Sequence, residues 1–174
     1  ARPAAWTWAA RRVMARQFVG SAEELAARLR RLDRHPLTLG LTYRALPAMC
    51  RDDTWRGTVQ TLTERAGVVL MDLRGFSEAR KGCAWEVGHL LDTKALERIL
   101  FLLDRATDPE PVHRTIEASW HRLVETSPNL GHPSPVVRVY HAGAQDEADV
   151  EAILDALVGA TGGVGRPEPN AVPS

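Results

Sequence analysis

The stretch 68–91 constrains the fold of this chain more than any other part of the sequence, because a strand, a loop and a helix are predicted there in immediate succession. It begins with the apolar run Val68, Val69, Leu70 and Met71. Such a run, without polar alternation, is typical of a parallel strand that is covered on both faces of its sheet. The stretch therefore predicts the central strand of a parallel sheet, followed by a helix over residues 83–97 whose residues 87, 90 and 91 point inward.

The same order of strand and helix recurs along the rest of the chain. Strands are predicted over residues 13–19, 37–43, 99–103 and 136–140. Helices are predicted from the capping box of Ser21 and Glu24, from Asp53 after a loop at residues 44–52, and over residues 110–125 and 147–158. Right-handed crossovers between such strands place helices on both faces of a sheet. We therefore expect a doubly wound α/β fold of flavodoxin-like type, with about five mainly parallel strands in three layers.

The size and composition of the chain are those of one domain. Its 174 residues, of which 44% are hydrophobic, are enough to bury a core of their own. We expect a leading segment at residues 1–12 and a single α/β domain at residues 13–158. Residues 159–174 are predicted to be a disordered tail, because glycine and proline are frequent there and no periodicity remains.

Charge and cysteine content argue against several classes of protein. Lysine plus arginine and aspartate plus glutamate number 22 each, so no overall field attracts nucleic acid. The two cysteines, Cys50 and Cys83, argue against a zinc site or a disulfide framework and favour a reducing cytoplasm. No apolar run is long enough for a membrane span, so we expect a membrane only through a segment before residue 1. The tryptophans and arginines of residues 1–12 suit a juxtamembrane position in that case, and otherwise an amphipathic leading helix.

Candidate ligand-binding residues follow the predicted strands, since ligands bind beyond the carboxyl ends of the strands in open α/β sheets. The most polar of these loops covers residues 72–82. Together with the loop after the second predicted strand, it supplies the expected pocket residues, which are Asp72, Arg74, Phe76, Ser77, Tyr43 and Arg44. The arginines suit phosphate groups, and the ring of Phe76 suits stacking on a base.

Glu86 is the candidate catalytic residue, because it lies early in the helix that this loop enters. A carboxylate there can act as a nucleophile or stabilise the oxocarbenium-like transition state of glycosidic bond cleavage. The structural alternative is a charge that is favourable at the positive end of the helix dipole.

The residues around Glu86 resemble two families of known chemistry. Cys83 and Glu86 keep the spacing of the Trp-Cys-x-x-Glu sequence of Toll/interleukin-1 receptor domains, whereas Gly82 stands where that family has tryptophan. The matching glutamate in the catalytic members of that family serves cleavage of the nicotinamide glycosidic bond of NAD. Residues 82–88 also resemble the Gly-Thr-Ala-x-Glu-x-Gly pattern of nucleoside deoxyribosyltransferases, where the matching glutamate acts at the glycosidic carbon of a nucleoside. A third likeness, to cytoplasmic domains of uncharacterised bacterial membrane proteins, implies no activity.

Two functions are therefore open. The first is a Toll/interleukin-1-receptor-like cytoplasmic effector or signalling domain that binds a nucleotide and, if it is an enzyme, cleaves an N-glycosidic bond through Glu86. The resemblance implies NAD or another nucleotide as the substrate, and no further cofactor or metal. The second is a non-catalytic module for protein assembly, including homo-oligomers, within a membrane-associated protein. Gly82 favours the second function, and the charges around Phe76 favour the first.

Three further residues allow a chemical interpretation that the sequence does not favour. His113 and His121 lie two helical turns apart without a third metal ligand. No histidine lies near Cys83 in the sequence to mark it as a nucleophile. We expect exposed histidines and a small buried cysteine.

Overall fold

The computed structural model describes residues 18–34, 45, 47–133, 135–143 and 147–160. The predicted strand at residues 37–43, the candidate residues Tyr43 and Arg44, and the leading segment lie outside the described residues. The chain divides into two compact units, Ala1–Leu62 and Thr63–Ser174, which are described separately below.

Among its described residues, the first unit contains a two-stranded parallel sheet and one complete helix. Strand β1 (Phe18–Val19) pairs with β2 (Met49–Cys50), and helix α1 (Ala22–Arg34) follows β1. The predicted capping box is confirmed, because the backbone N–H of Glu24 donates to Ser21 Oγ (3.2 Å) and the N–H of Gly20 donates to Glu24 Oε2 (2.9 Å). Strand β2 was predicted as loop, since two residues carry no detectable periodicity.

The first unit also has a small core of its own. Leu25 and Leu29 on the inner face of α1 pack with Val19 of β1. The half-buried side chains of Ala48, Cys50 and Leu62 complete this cluster. The core is therefore drawn from residues of the first unit alone.

The sequence predicted a helix that begins at Asp53. Helix α2 (Trp55–Arg65) begins after Thr54 instead. Thr54 holds this end of the helix through its hydroxyl group, which accepts from the N–H of Arg51 (3.2 Å) and donates to the carbonyl of Val19 (3.1 Å). The most buried side chains of α2 are Thr58 and Thr63. Both side chains are polar, so apolar periodicity does not mark the most buried positions of this helix.

The second unit contains a three-stranded parallel sheet in the order β3-β4-β5. These strands are β3 (Val69–Asp72), β4 (Ile99–Asp104) and β5 (Arg138–Ala142). Among the described strands β4 lies in the middle and Leu70 of β3 is 38% exposed, so the prediction that residues 68–71 form a central, doubly covered strand is wrong for the described sheet. Both strands are apolar runs, and only their neighbours in space decide which of them is covered on both faces.

Helices α3 (Lys81–Thr93), α4 (Pro109–Trp120) and α5 (Glu147–Ala160) complete the second unit. Residues 87, 90 and 91 of α3 point into the core, as predicted, and pack with Ile99 and Phe101 of β4. Helix α3 ends four residues earlier than predicted, because Leu96–Arg98 form a separate 3-10 turn. Helix α4 also ends early, at Trp120.

A buried polar network closes the carboxyl end of α3. The side chain of Asn129, only 1% exposed, donates to the carbonyls of Leu91 (2.6 Å) and Lys94 (2.7 Å) and accepts from the N–H of Leu96 (3.0 Å). The hydroxyl group of Ser127 donates to the same Leu91 carbonyl (2.9 Å). These bonds satisfy backbone groups that the end of a helix leaves without partners. No sequence pattern indicates this network, because its partners lie more than 30 residues apart in the chain.

The elements together form an α/β fold with parallel strands, as predicted, and the arrangement is consistent with a flavodoxin-like fold. The described strands lie in two small sheets, and the number of layers stays a prediction. Among the helices of the described residues, none combines the length and the apolar character needed to span a bilayer.

Candidate functional site

The candidate site lies at the carboxyl edge of the second unit's sheet, where β3 ends at Asp72 and β4 ends at Asp104. A chain of two hydrogen bonds links the loop after β3 to Asp104 at the end of β4. The N–H of Gly75 donates to Thr107 Oγ1 (2.9 Å), and this hydroxyl donates to Asp104 Oδ1 (2.6 Å). Gly75 has φ 63°, a conformation that favours glycine over residues with a Cβ atom. The loop after β3 is therefore held in place by the loop after β4.

Asp72 and Arg74 form a bidentate ion pair at this edge. Arg74 Nη2 lies 2.7 Å from Asp72 Oδ2, and Arg74 Nε lies 2.9 Å from Asp72 Oδ1. Hydrogen bonding from Arg74 holds the pKa of Asp72 below its ordinary value, and Asp72 raises the pKa of Arg74 in turn. Two of the predicted ligand-binding residues are therefore engaged with each other.

Phe76 and Ser77 occupy different environments in the same loop. Phe76 is 6% exposed and belongs to the core cluster of the second unit, so its ring does not face a surface pocket as the sequence predicted. The polar sequence of the loop does not predict the burial of Phe76, which depends on the turn at Gly75. In this turn the N–H of Phe76 donates to the carbonyl of Leu73 (3.0 Å). Ser77 is exposed, and its carbonyl accepts from the N–H of Arg80 (2.9 Å) in the turn that leads into α3.

Glu86 lies in the second turn of α3 and is half-buried. Burial raises the pKa of its carboxyl group. Within the described part of the chain, no hydrogen bond or ion pair engages this carboxylate. A buried carboxylate without a partner is costly to ionise, and this combination is enriched at functional sites.

The thiol of Cys83 lies within electrostatic range of Glu86 and of Asp72 at the edge of the sheet. Burial raises the pKa of the Cys83 thiol, the negative charges of Glu86 and Asp72 raise it further, and Arg80 acts in the opposite direction. Asp72, Arg80 and Glu86 are thus close enough to Cys83 for their charges to act on it. Cys83 also packs against the core, and its raised pKa argues against a nucleophilic thiolate.

The first turn of α3 is electropositive. It contains no acidic residue, and Arg80 at the N-cap position makes no side-chain cap. Arg80 and Lys81 are both exposed there, and the guanidinium of Arg80 lies near Gly75, with Nη2 at 3.9 Å from the position a Cβ atom would occupy. Unpaired N–H groups and cations at a helix start favour anions.

Trp85 and His89 form a stacked pair on α3 that the sequence did not indicate. Their ring centroids are 5.2 Å apart and the ring planes differ by 5°. His89 Nε2 is buried without a hydrogen-bond partner among the described residues, and burial lowers the pKa of this imidazole. Trp85 directly precedes Glu86 and His89 follows it by three residues, so the stack lies on the same part of α3 as Glu86.

A cavity of about 550 Å³ lies between α4 and the residues Pro133, Pro135 and Val137, and Glu86 is not among the residues that line it. His113, Glu117 and His121 line it at a spacing of four residues, with Trp120 and Val137. The spacing of the two histidines was visible in the sequence, but the part of the chain that faces them was not. The described residues contain no group of three His, Cys, Asp or Glu side chains arranged to hold a metal ion.

Comparison of the chain with protein-family models, with curated proteins and with solved structures finds no match. The likeness to Toll/interleukin-1 receptor domains and to nucleoside deoxyribosyltransferases therefore stays a resemblance of the residues around Glu86.

Proposed function

We propose that this chain binds a nucleotide at the carboxyl edge of β3 and β4 and cleaves its N-glycosidic bond with the help of Glu86. The observation that carries the proposal is the environment of Glu86. Its carboxylate is half-buried, its pKa is raised by burial, and no described residue pairs with it.

An unpaired and partly desolvated carboxylate suits a reaction that develops positive charge. As the C–N bond breaks, its electron pair leaves with the base and the sugar becomes oxocarbenium-like. The positive charge on the sugar, with which the Glu86 carboxylate can pair, develops only at that stage. Glu86 therefore stabilises the transition state more than the ground state. Water then bonds to the anomeric carbon through its oxygen and gives up one proton, to the released base or to solvent.

The charges near Glu86 fit the phosphates of a nucleotide. Arg80 and Lys81 stand at the uncapped start of α3, where helix N–H groups also favour anions. Asp72 and Arg74 keep the adjacent loop in a fixed shape through their ion pair. Phe76 supports this loop from the core and has no role as a stacking surface in the proposal.

The proposal is tested by incubating the folded protein with NAD and with a panel of nucleosides and nucleotides. Released base is measured by chromatography. We expect release by the unmodified protein and a loss of at least about 100-fold in Glu86→Gln, since a positioned carboxylate contributes about that much or more. The rate should rise with pH as Glu86 ionises, with a midpoint above the ordinary pKa of a glutamate, because burial raises the pKa of Glu86.

The matched control is Glu97→Gln, which removes an exposed carboxylate from the 3-10 turn after α3. This variant should release base at the rate of the unmodified protein. Equal release by Glu86→Gln and the unmodified protein would contradict the role of Glu86.

The contacts of the other predicted pocket residues favour a second function, a non-catalytic assembly module. Asp72 and Arg74 neutralise each other, and Phe76 lies in the core, so three predicted pocket residues are already engaged. Absence of base release from every substrate, together with concentration-dependent assembly in sedimentation velocity, would support this function over the first.

A further inference from the structure

The apolar face of helix α5 is wider than the part of it that is packed. Ile153 and Leu157 are half-buried, as expected for a helix that packs on one face. Val150, Leu154 and Val158 are nevertheless 54%, 54% and 52% exposed. Their spacing of four residues places them in one row along the helix, which we call the α5 stripe. The row lies beside Ile153 and Leu157 around the helix, so it extends the packed apolar face into solvent, and such an exposed apolar surface marks an interaction site.

The border of the α5 stripe is acidic. Glu151 and Asp155 are exposed, and each lies about 100° around the helix from the stripe residue that precedes it. Residues 147–160 contain no lysine or arginine. Asp149 faces the sheet instead, where it accepts from Tyr140 Oη (3.0 Å) and from the N–H of Gly143 (2.9 Å).

We infer that the α5 stripe is a docking surface for an amphipathic helix of a partner protein whose apolar face is bordered by lysine or arginine. The row of Val150, Leu154 and Val158 supplies the apolar anchors that a helix packed along another helix requires. Glu151 and Asp155 select a basic partner, since opposite charges beside an apolar contact favour the matching helix and disfavour an acidic one.

The acidic border also argues against two other occupants. In a symmetric pair of α5 helices, Glu151 and Asp155 would face acidic residues of the second copy. An anionic membrane surface would repel the same carboxylates. This inference concerns α5 alone and holds whether or not Glu86 is catalytic.

The test measures binding of helical peptides to the full chain by fluorescence anisotropy. The probe is a fluorescein-labelled amphipathic peptide of leucine and lysine, about 18 residues long so that it spans the helix. Its controls are a scrambled peptide of the same composition and a peptide with glutamate in place of lysine. We expect the leucine–lysine peptide to bind at least about tenfold more tightly than either control, and more weakly as salt increases.

Paired variants assign the binding to the stripe. Val150→Gln combined with Leu154→Gln should weaken binding by about tenfold or more, whereas Ala152→Gln, an exposed position of the same helix outside the stripe, should bind like the unmodified protein. Glu151→Gln combined with Asp155→Asn should reduce the salt dependence of binding. All of these positions are exposed, and thermal unfolding of each variant checks that the fold is retained.

Three results would overturn the inference. One is equal binding of the peptide by the stripe variant and the unmodified protein. Another is a dimer in sedimentation velocity that the stripe variant turns into a monomer, which would assign the stripe to a second copy. The third is tighter binding to vesicles of anionic phospholipid than to the peptide.

Discussion

Glu86 and Asp72 are two carboxylates in opposite environments, although both act on Cys83. Burial raises the pKa of Glu86, whereas the hydrogen bonds from Arg74 lower the pKa of Asp72. Neighbouring carboxyl groups whose pKa values are displaced in opposite directions are suited to different roles. In the proposed function Glu86 is the group available for chemistry, and Asp72 is the group that holds its loop through Arg74.

The pKa of Glu86 predicts that Glu86→Gln stabilises the protein at neutral pH. The folded state raises this pKa, so protonation of Glu86 favours folding. This contribution to stability is complete below the unfolded-state pKa and is lost as pH rises through the folded-state pKa. The ionised group therefore costs stability at pH 7, and glutamine removes that cost. Urea unfolding between pH 4 and pH 8 should show a difference that shrinks toward the acidic end, with Glu97→Gln as the control. A glutamine variant less stable than the unmodified protein at pH 7 would reveal a favourable contact of the carboxylate.

The Asp72–Arg74 pair predicts the opposite dependence on pH. The folded state lowers the pKa of Asp72, so its contribution is present above the unfolded-state pKa and is lost as pH falls through the folded-state pKa. The side chains of Arg74 and Asp72 are 34% and 49% exposed, so we expect Asp72→Asn to lower the free energy of unfolding at pH 7 by at most about 1 kcal/mol. A double-mutant cycle with Arg74→Gln measures the pair directly. A coupling energy that does not decline toward acidic pH would contradict the ion pair.

At the scale of elements, the turn from α3 to β4 depends on Asn129. Its side chain makes three hydrogen bonds to backbone groups between Leu91 and Leu96, and it is almost fully buried. Asn129→Ala leaves these groups without their partner, so we expect a loss of about 2–4 kcal/mol in the free energy of unfolding. Thr126→Ala, an exposed change in the same loop, should change stability by less than about 0.5 kcal/mol. Equal effects of the two changes in urea unfolding would show that the network contributes nothing.

The elements that could be predicted from the sequence are those whose signals are local. The capping box of Ser21 and Glu24 is an example, since these residues are close in the chain and each side chain accepts a hydrogen bond from a backbone N–H nearby. The inward residues of α3 are another, because helical periodicity determines which side is apolar. The middle position of β4 and the burial of Phe76 depend on contacts between distant parts of the chain, which no local pattern contains.

The candidate site was predictable to the same extent. Parallel strands end at one edge of their sheet, so the sequence placed the loop after β3 at that edge, but the loop after β4 was not among the predicted pocket loops. The sequence did not show that Asp72 and Arg74 pair with each other, because their geometry depends on the loop that Gly75 and Thr107 hold in place. The Trp85–His89 stack has the spacing of one helical turn, and that spacing was the one available signal for it.

For the whole molecule, the two cores predict that the second unit folds by itself. Every residue of the larger core cluster lies between Val69 and Val137, and every residue of the smaller one lies between Val19 and Leu62. A fragment of residues 63–174, about 110 residues, is large enough to bury a core without help from disulfides or metals. We expect this fragment to show far-ultraviolet circular dichroism of an α/β protein and a cooperative thermal transition. Phe101→Ala, at the fully buried centre of β4, should lower its free energy of unfolding by about 3–5 kcal/mol or unfold it. A fragment without a cooperative transition would show that this core is stable only in the presence of the first unit.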